Sequence, residues 1–329
     1  MSVLITGSSG YIGTELCRRY AAADNPPEIL GIDLAPPREE FPNLIFYQLD
    51  CNGDLSPVFQ RHSVDTIIHL VYVLDMTHNS KQMYKINVGS MENILKFAGE
   101  HSVKRIVVTS SATAYGAYSD NPSILTENDP LCGNYDFQYA YNKTIVEERL
   151  NSFASEHPEV DIVIARPAII SGAHIGNFIS RFIDKPLVPL VKNSKTEMQF
   201  LHEEDAADAL FTLASQAPAG VYNLGPPNTI HPEKAVRMLG GRPLGIRPGL
   251  LRFMTAMAWT LRLKFLAEAP ASMISFIQHP WVVDGSKIEE VTDFRGSYPR
   301  FCRIPEVESM SEENIYIPEA EPGRVVTVG

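Results

Sequence analysis

Residues 3–13 read VLITGSSGYIG, an apolar strand-like run followed directly by a glycine-rich turn and the start of a helical pattern. Glycines at this spacing permit a tight turn, let the backbone approach a pyrophosphate, and let helix and strand pack closely. The helix N-terminus then offers free N–H groups and a favourable dipole to the anion. An ordinary glycine-rich turn is the alternative, but the strand–turn–helix context favours a dinucleotide site. Its candidate contacts are Gly7, Gly10, Tyr11, Ile12 and Gly13.

A carboxylate, Asp33, ends the second predicted strand (29–33) twenty residues after the glycine turn. A carboxylate there would bond the adenosine ribose hydroxyls and repel a 2′-phosphate, which favours NAD over NADP. Arg38, in the following loop, would partly offset this preference. Asp50 and Cys51 end the third predicted strand, where the chain would pass the adenine edge, and a strand-end cap is the alternative role for Asp50.

The first 170 residues alternate between short apolar runs and helix-length segments. The apolar runs are 3–6, 29–33, 44–48, 66–71, 105–110 and 161–165. The helical patterns between them include 11–23, 85–100 and 139–155. This β-α-β order predicts an α/β fold with a Rossmann-type, doubly wound parallel sheet.

After Pro167 the alternation gives way to Pro- and Gly-rich segments, and it returns only for a helix at 204–215 and a strand at 220–224. We therefore expect a smaller, mixed α/β substrate lobe at the C-terminal side, over the carboxyl ends of the strands. The expected division is 1–166 with 204–225 for an NAD-binding domain, 167–203 with 226–302 for the substrate lobe, and 303–329 for an acidic tail.

Composition limits the partners and the location. A net charge of −11 disfavours nucleic acid as a partner. The four cysteines are scattered without C-x-x-C spacing, which predicts free thiols in a reducing cytoplasm and no metal site. No signal-peptide pattern is present, and the most apolar helical stretch, 253–266, includes Arg262 and Lys264. We expect a cytoplasmic protein without stable membrane insertion.

Two further segments suggest a catalytic group. Tyr139 and Lys143 lie four residues apart in a helical pattern, so they share one helix face. A nearby ammonium would lower the tyrosine pKa from about 10 and make the phenol a usable general base. The segment 109–116, TSSATAYG, leaves the carboxyl end of a strand, where Ser111 can hold a substrate oxygen beside the tyrosine. A surface Tyr/Lys pair and strand-end capping by the serines are the alternatives.

Together these motifs resemble the extended short-chain dehydrogenase/reductases of the NAD-dependent epimerase/dehydratase family. The resemblance covers about the first 225 residues in order, and its motifs are specific jointly rather than singly. Further segments that support it are HLV at 69–71, INVGSMENIL at 86–95, RPAIISG at 166–172, FLHEEDAADAL at 200–210 and, more weakly, WVVDGSK at 281–287.

The resemblance implies that Tyr139 is the acid/base, that Ser111 orients the substrate oxygen, and that Lys143 bonds the nicotinamide ribose and tunes Tyr139. It also implies a homodimer through helices near 88–100 and 140–155. Further implied cofactor contacts are Leu70, Val71, Asn87 and Pro167, with plain helix packing as the alternative for Asn87. The implied substrate side comprises Ser111, Ala112, Thr113 and Met198.

The substrate positions depart from well-known branches of the family. Ala112 and Thr113 stand where sugar-nucleotide 4,6-dehydratases place Asp-Glu, which disfavours dehydration. Met198 stands where UDP-sugar 4-epimerases place a diphosphate-binding Arg, and 168–172 lacks their Asn. The segment 234–264 instead contains seven Lys or Arg, no acidic residue and many large apolar residues. It predicts a hydrophobic small-molecule substrate with an anionic group, or contact with a membrane surface; a core helix with charged ends is the alternative.

The leading interpretation is an NAD(P)-dependent oxidoreductase that transfers hydride between nicotinamide and a secondary alcohol or ketone. A nucleotide-sugar epimerase with internally recycled NAD would use the same atoms. A catalytically silent NAD-sensing regulatory protein is disfavoured by the Tyr139/Lys143 pair. The segment 202–205 contains His202, Glu203, Glu204 and Asp205. This pattern is more typical of the acidic first turn of a helix than of a metal site.

Overall fold

The computed structural model describes residues 2–172, 174, 178–183 and 185–297. The acidic tail 303–329 and Cys302 therefore lie outside the described residues. Its strands are β1 Ser2–Thr6, β2 Glu28–Asp33, β3 Leu44–Gln48, β4 Thr66–His69, β5 Arg105–Thr109, β6 Asp161–Pro167, β7 Ile169–Ser171, β8 Leu187–Val191, β9 Phe200–His202, β10 Gly220–Leu224 and β11 Arg242–Ile246.

Helices flank these strands. They are α1 Tyr11–Ala21, α2 Ser56–Phe59, α3 Ser80–Tyr84, α4 Ser90–Glu100, α5 Gln138–Glu156, α6 Phe178–Ile183, α7 Glu203–Ser215, α8 Pro232–Met238, α9 Pro248–Thr260 and α10 Ser286–Val291. A π-helical turn, Lys85–Gly89, joins α3 to α4, and Ala112–Tyr115 and Ala271–Ile277 form 3₁₀ helices. Within the described ranges, no helix is long and apolar enough to cross a membrane.

The central sheet has seven parallel strands in the order β3-β2-β1-β4-β5-β6-β10. Strands β1 and β4 are completely buried, as expected for a sheet covered by helices on both faces. The strand order reverses between β1 and β4, and in such sheets the ligand cleft opens at the carboxyl ends on either side of that point. The predicted Rossmann-type fold is confirmed.

Two apolar cores hold helices against the faces of the sheet. On one face, Met91 and Ile94 of α4 join Val146 and Leu150 of α5 beneath the strands. On the other, Leu16 of α1 joins residues of α7. The chain thus forms a three-layer α/β/α unit that fixes the beginnings of α1 and α5 beside the cleft.

A third apolar core lies over the carboxyl edge of the sheet. It combines residues of the later chain, such as Ile183, Met198 and Trp281, with Tyr115 and Phe137 from the segment after β5. The two-stranded pairs β8/β11 and β7/β9, both parallel, belong to this region. These elements close the cleft from above.

Two strands end earlier than their sequence patterns suggest. The predicted runs 66–71 and 105–110 end as strands at His69 and Thr109. Residues 70–73 and 110–111 are therefore released from the sheet and can face the cleft. The predicted helix 85–100 is preceded by α3 and begins with the π-helical turn.

Candidate active site

The glycine turn has the geometry of an anion cradle. Gly7 adopts a left-handed φ of +73°, and its N–H donates to the carbonyl of Ile32 at 2.8 Å. A Cβ at Gly13 would lie 2.3 Å from the carbonyl oxygen of Gly7, so helix α1 starts against the turn only because this residue is glycine. Among the described residues no side chain caps this helix at Gly10, which leaves its first N–H groups available to a pyrophosphate.

Asp33 lies at the edge of this turn, at the end of β2. Its two carboxylate oxygens accept hydrogen bonds from the N–H groups of Ser9 and Ala35, each at 3.0 Å. A carboxylate has about four acceptor positions, so both oxygens can still accept from ribose hydroxyls. Arg38 is fixed on the same turn, since its Nε donates to the carbonyl of Ser9 at 2.8 Å. A carboxylate and a guanidinium thus flank the expected ribose position.

The predicted cofactor residues that follow β3 and β4 lie in different surroundings, and Asp50, Cys51 and Val71 are not among the residues that line the cavity. Asp50 is exposed and accepts from the N–H of Asn52 at 2.9 Å, which is the strand-end cap considered as its alternative role. Cys51 is buried in the core, and burial raises its thiol pKa to about 12. Leu70 lines the cleft, whereas Val71 packs against the apolar core to which α4 and α5 contribute.

Asn87 does not line the cavity itself but positions the loop that does. It is buried in the π-helical turn, and its amide bonds both backbone groups of Val73, accepting at 2.7 Å and donating at 3.2 Å. This pair of bonds fixes the loop that leaves β4. The loop in turn presents Leu70 and Tyr72 to the cleft.

Tyr139 and Lys143 project from the first turns of α5, as the spacing predicts. The Lys143 Nζ donates to the carbonyl of Thr109 at 2.7 Å and lies 3.4 Å from the centre of the Tyr72 ring. The Tyr72 hydroxyl donates to the carbonyl of Tyr139 at 3.0 Å, and the two rings meet edge to face at 5.3 Å. Strand β5, helix α5 and the loop after β4 therefore converge on one ammonium group.

The pKa of Tyr139 is shifted upwards, opposite to the direction that the sequence predicts. Burial raises the pKa of Tyr139 to about 12, with a hydrogen bond to Ser111 opposing the shift. Burial also lowers the pKa of Lys143 to about 7, with the negative charge of Glu147 opposing it. The expected lowering of the Tyr139 pKa by Lys143 is therefore not found here: burial sets the direction of the shift, and the Lys143 ammonium is directed at Thr109 and Tyr72. Tyr139 is a protonated phenol at neutral pH in this structure.

The two serines after β5 have different partners. Ser111 caps the 3₁₀ helix Ala112–Tyr115: its Oγ accepts from the N–H of Thr113 at 3.2 Å and from the Thr113 hydroxyl at 2.9 Å. Ser110 donates instead to the Glu147 carboxylate at 2.5 Å. Ser111 is thus the serine placed beside the phenol. Ala112 is buried in the core and does not line the cleft, whereas Thr113 does.

A buried charged network supports α5 from behind. The Glu147 carboxylate, one turn after Lys143, accepts from Arg166 Nε at 3.0 Å and from a terminal guanidinium nitrogen at 2.6 Å. Arg166, on β6, also donates to the Tyr115 hydroxyl at 2.6 Å, which donates to Asn223 of β10 at 2.8 Å. The network ties α5 to the end of the sheet.

The cleft widens into a cavity of about 240 Å³. Of the described residues that line it, Lys143 is the only one with a charge. No Lys or Arg of the segment 234–264 lies on this described wall, so the predicted anionic group of the substrate finds no partner there. Besides the site residues above, the wall contains Ile12, Leu74, Phe137, Pro167, Ala168, Ile169, Ile170, Ile179, Phe182, Ile183, Leu190, Met198, Leu210, Pro232, Val236, Met273, Phe276, Ile277 and Trp281.

Met198 is held on this wall by its backbone, which forms a bridge with Ile230 through N–H···O bonds of 2.9 and 2.8 Å. Trp281 is fixed similarly, since its indole N–H donates to the carbonyl of Phe276 at 2.8 Å. Hydrogen bonds therefore fix these two residues of the apolar wall in place. Thr109, whose hydroxyl has no hydrogen-bond partner among the described residues, adds one polar group to the wall.

The acidic group at 202–205 forms a helix start. His202 caps α7 by accepting from the N–H of Glu204 at 3.2 Å, and acidic residues occupy the first turn. Buried Glu203 bonds the His174 ring at 2.8 Å, and that ring stacks on Tyr11. In the described ranges, no group of three or more His, Cys, Asp or Glu side chains is arranged to hold a metal ion.

Sequence reasoning missed Tyr72, Glu147 and Arg166. Tyr72 follows Leu70 and Val71 directly, so its position beyond β4 was a usable signal. Glu147 stands one helical turn after Lys143, on the same face of α5. Its pairing with Arg166 joins distant segments and could be read only from the fold.

A model of the NAD dependent epimerase/dehydratase family matches residues 3–225 of this chain. The chain belongs to that family. A UDP-glucose 4-epimerase of Yersinia enterocolitica is 26% identical over 327 residues, covering 85% of this chain and 96% of the relative.

Among solved structures, the UDP-glucose 4-epimerase of Thermotoga maritima superposes with a TM-score of 0.71 at 15% identity, covering 91% of this chain and 94% of the other. A dTDP-glucose 4,6-dehydratase of Streptomyces venezuelae with NAD bound gives a TM-score of 0.67 at 19% identity, covering 90% and 92%.

The protein is thus an NAD-dependent enzyme of the extended short-chain dehydrogenase/reductase type. The residues present fit the cofactor: the glycine cradle suits a pyrophosphate, and Asp33 suits a diol. The Lys143 ammonium suits the ribose that links to nicotinamide. When bound, NAD accepts or donates the hydride.

Proposed function

We propose that this enzyme interconverts a secondary alcohol and a ketone on a largely apolar small molecule, using NAD. The proposal rests on the composition of the cavity wall, where Lys143 is the single charged residue among those described. Burying a charged or strongly polar substrate group without partners costs free energy, whereas apolar surface gains about 25 cal/mol per Å² on burial. The wall therefore favours a substrate whose polarity is concentrated at one oxygen.

Tyr139 is the proton donor and acceptor in this proposal. Its pKa of about 12 keeps it protonated at neutral pH, which suits delivery of a proton to the oxygen of a ketone as that carbon is reduced. Ser111 holds the same oxygen by a second hydrogen bond. Lys143 binds the cofactor ribose in this proposal, from the position that its contacts with the Thr109 carbonyl and the Tyr72 ring give it.

The polar partners of Ser111 favour this role. Thr113 donates to the Ser111 oxygen twice, through its N–H and its hydroxyl. Those bonds fill the acceptor positions of the serine and leave its own O–H to be donated. The O–H can point either to Tyr139 or to a substrate oxygen next to it.

A nucleotide-sugar epimerase with recycled NAD is the second candidate. It is favoured by the relatives, several of which are named UDP-glucose 4-epimerases. Against it stands Met198 on the cavity wall, where an arginine would bind a diphosphate. Among the described residues of the wall there is no arginine that could take its place.

A paired substrate screen separates the two candidates. The purified protein is incubated with NAD⁺ and a series of secondary alcohols of increasing apolar size, and with UDP-glucose in parallel. The proposal expects NADH release whose kcat/KM rises with apolar size, and no conversion of UDP-glucose. Conversion of UDP-glucose to UDP-galactose without net NADH would overturn it in favour of the epimerase.

Met198→Arg provides an internal control for this screen. An unpaired cation on the apolar wall should lower kcat/KM for the preferred alcohol by raising KM, while the affinity for NAD⁺ stays unchanged. Met198→Leu, which keeps the wall apolar, should behave like the parent enzyme. Equal kinetics for the two variants would show that the substrate does not reach this wall.

We also propose that the enzyme is a cytoplasmic homodimer through α4 and α5. Family membership and the pairing of the two helices on one face of the sheet support this arrangement. Light scattering coupled to size-exclusion chromatography should report twice the chain mass of 36.6 kDa. A monomer at micromolar concentration would rule the dimer out.

A further inference from the structure

Helix α9 exposes most of its apolar side chains. Of its residues only Leu251 and Ala258 are buried. The remaining large apolar residues recur at intervals of three or four, so they share one helix face. This surface, called the α9 face, comprises Leu250, Phe253, Met254, Met257 and Leu261, with Phe265 and Leu266 just beyond; exposures range from 48% for Met254 to 73% for Phe265. Single exposed apolar residues are ordinary, but a contiguous face marks an interaction surface.

The charge around the α9 face is positive. Between 234 and 264 there are seven Lys or Arg and no acidic residue, although the whole chain has a net charge of −11. Arg247, Arg262 and Lys264, which flank the face, are all exposed. Glu268, the next acidic residue, is already paired with Arg181 at 2.6 Å. The apolar face is thus bordered by cations, and the segment 234–264 contains no acidic residue that would offset their charge.

We propose that the α9 face docks the protein on an anionic lipid bilayer, with the helix lying flat in the interface. Apolar side chains enter the acyl boundary while Lys and Arg contact the lipid phosphates, the arrangement by which interfacial amphipathic helices bind. The helix has 13 residues, about 20 Å, so it lies on the bilayer without crossing it.

Charge also decides against a second copy as the occupant. In a twofold contact the same surface meets itself, so the cations that border one α9 face would oppose those of the other. Like charges brought together at an apolar contact are destabilising. A bilayer rich in phosphatidylglycerol complements both the apolar residues and the cations.

The docking surface adjoins the cavity. His78, in the loop that leaves β4, stacks on Trp259 of α9 with ring centres 4.0 Å apart, and its Nε2 contacts the Trp259 carbonyl at 2.9 Å. Leu74 of the same loop lines the cavity and is partly exposed. Asp75 is paired with Arg181 of α6, a helix that supplies Ile179 to the cavity wall. A bilayer at the α9 face would therefore lie beside the entrance for an apolar molecule.

Vesicle co-sedimentation of the full chain, without NAD or substrate, tests the docking independently of the proposed function. Vesicles of phosphatidylcholine with phosphatidylglycerol are compared with pure phosphatidylcholine vesicles. We expect binding to the anionic vesicles that weakens with added salt. Arg247→Glu/Lys264→Glu should reduce it by at least roughly fivefold per cation lost.

Two variants test the apolar contribution. Phe253→Ser/Met257→Ser should lower the partition coefficient at least tenfold while leaving the unfolding transition unchanged, because both side chains are already exposed. Ile45→Ser/Val291→Ser changes two exposed apolar residues elsewhere and should bind like the parent protein. Arg61→Glu, an exposed arginine outside the segment, is the matched control for charge.

Absence of binding to anionic vesicles overturns the proposal, and so does equal binding by Phe253→Ser/Met257→Ser and the parent. An oligomer that Phe253→Ser/Met257→Ser dissociates would assign the face to a second copy instead. Since none of these measurements uses catalysis, loss of vesicle binding and failure of the alcohol screen are separate results.

Discussion

The Glu147–Arg166 pair behind the catalytic helix allows a quantitative test of how the site is supported. The Glu147 and Arg166 side chains are 1% and 5% exposed, and the carboxylate accepts three charge-assisted contacts from the guanidinium in addition to the Ser110 hydroxyl. Glu147→Gln keeps the shape of the side chain but removes its charge. It also places an amide N–H₂ donor where a carboxylate oxygen accepted hydrogen bonds from Arg166 and Ser110, so that donor faces donor.

The cost follows from leaving Arg166 buried and unpaired. Removal of one partner of a buried ion pair costs about 3 to 5 kcal/mol, a large share of the roughly 5 to 15 kcal/mol by which a domain is stable. Replacing both partners by apolar residues, Glu147→Met with Arg166→Met, should recover much of this loss because the guanidinium is then no longer left buried without its carboxylate. The Lys143 pKa should also fall further, since Glu147 is the group that raises it.

Urea unfolding followed by circular dichroism measures these differences. The matched control is Glu39→Gln, which breaks the exposed Arg18–Glu39 pair away from α4 and α5 and should cost no more than about 1 kcal/mol. If Glu147→Gln were no more destabilising than Glu39→Gln, the buried network would not support the helix as described. A double variant less stable than Glu147→Gln alone would also contradict the charge argument.

Three further outcomes follow from the site. Asp33→Ser should weaken NAD⁺ binding and narrow its advantage over NADP⁺ in isothermal titration; a parent protein that binds NADP⁺ more tightly would refute the role of Asp33. Gly13→Ala should abolish NAD⁺ binding or folding, because its Cβ would lie 2.3 Å from the Gly7 oxygen, and near-native binding would contradict this geometry. Lys143→Met should raise the free energy of unfolding by about 2 to 4 kcal/mol at pH 6. The folded pKa of about 7 lies below the unfolded value, so this gain should shrink between pH 7 and about 10.5, and a gain that grew with pH would be the wrong sign.

The cofactor half of the site could be predicted from the sequence because its determinants are local. The glycine turn adjoins its strand and helix, and Asp33 ends the next strand, so chain order alone places them together. Tyr139 and Lys143 share a helix face for the same reason. Asp50 and Cys51 also end a strand, but whether such residues turn to the cleft or to the core depends on packing that the pattern does not contain.

The substrate half could not be predicted, because its wall is assembled from distant segments. Phe137, Ile183, Met198 and Trp281 meet only once the later chain has folded over the sheet. The direction of the Tyr139 pKa shift likewise depends on how deeply that cover buries the phenol. The composition of 234–264 showed that the segment is both basic and apolar, yet which face of α9 is left uncovered is a property of the tertiary structure.

Stopped-flow measurement of NADH formation by the parent and by Tyr139→Phe, with the best apolar secondary alcohol from the screen, tests the central claim most directly. The substitution preserves ring packing against Tyr72 and removes only the hydroxyl. The parent should form NADH, and the variant should be slower by about 10²–10⁴-fold with unchanged NAD⁺ affinity. Near-parental turnover by a folded Tyr139→Phe protein would contradict the account.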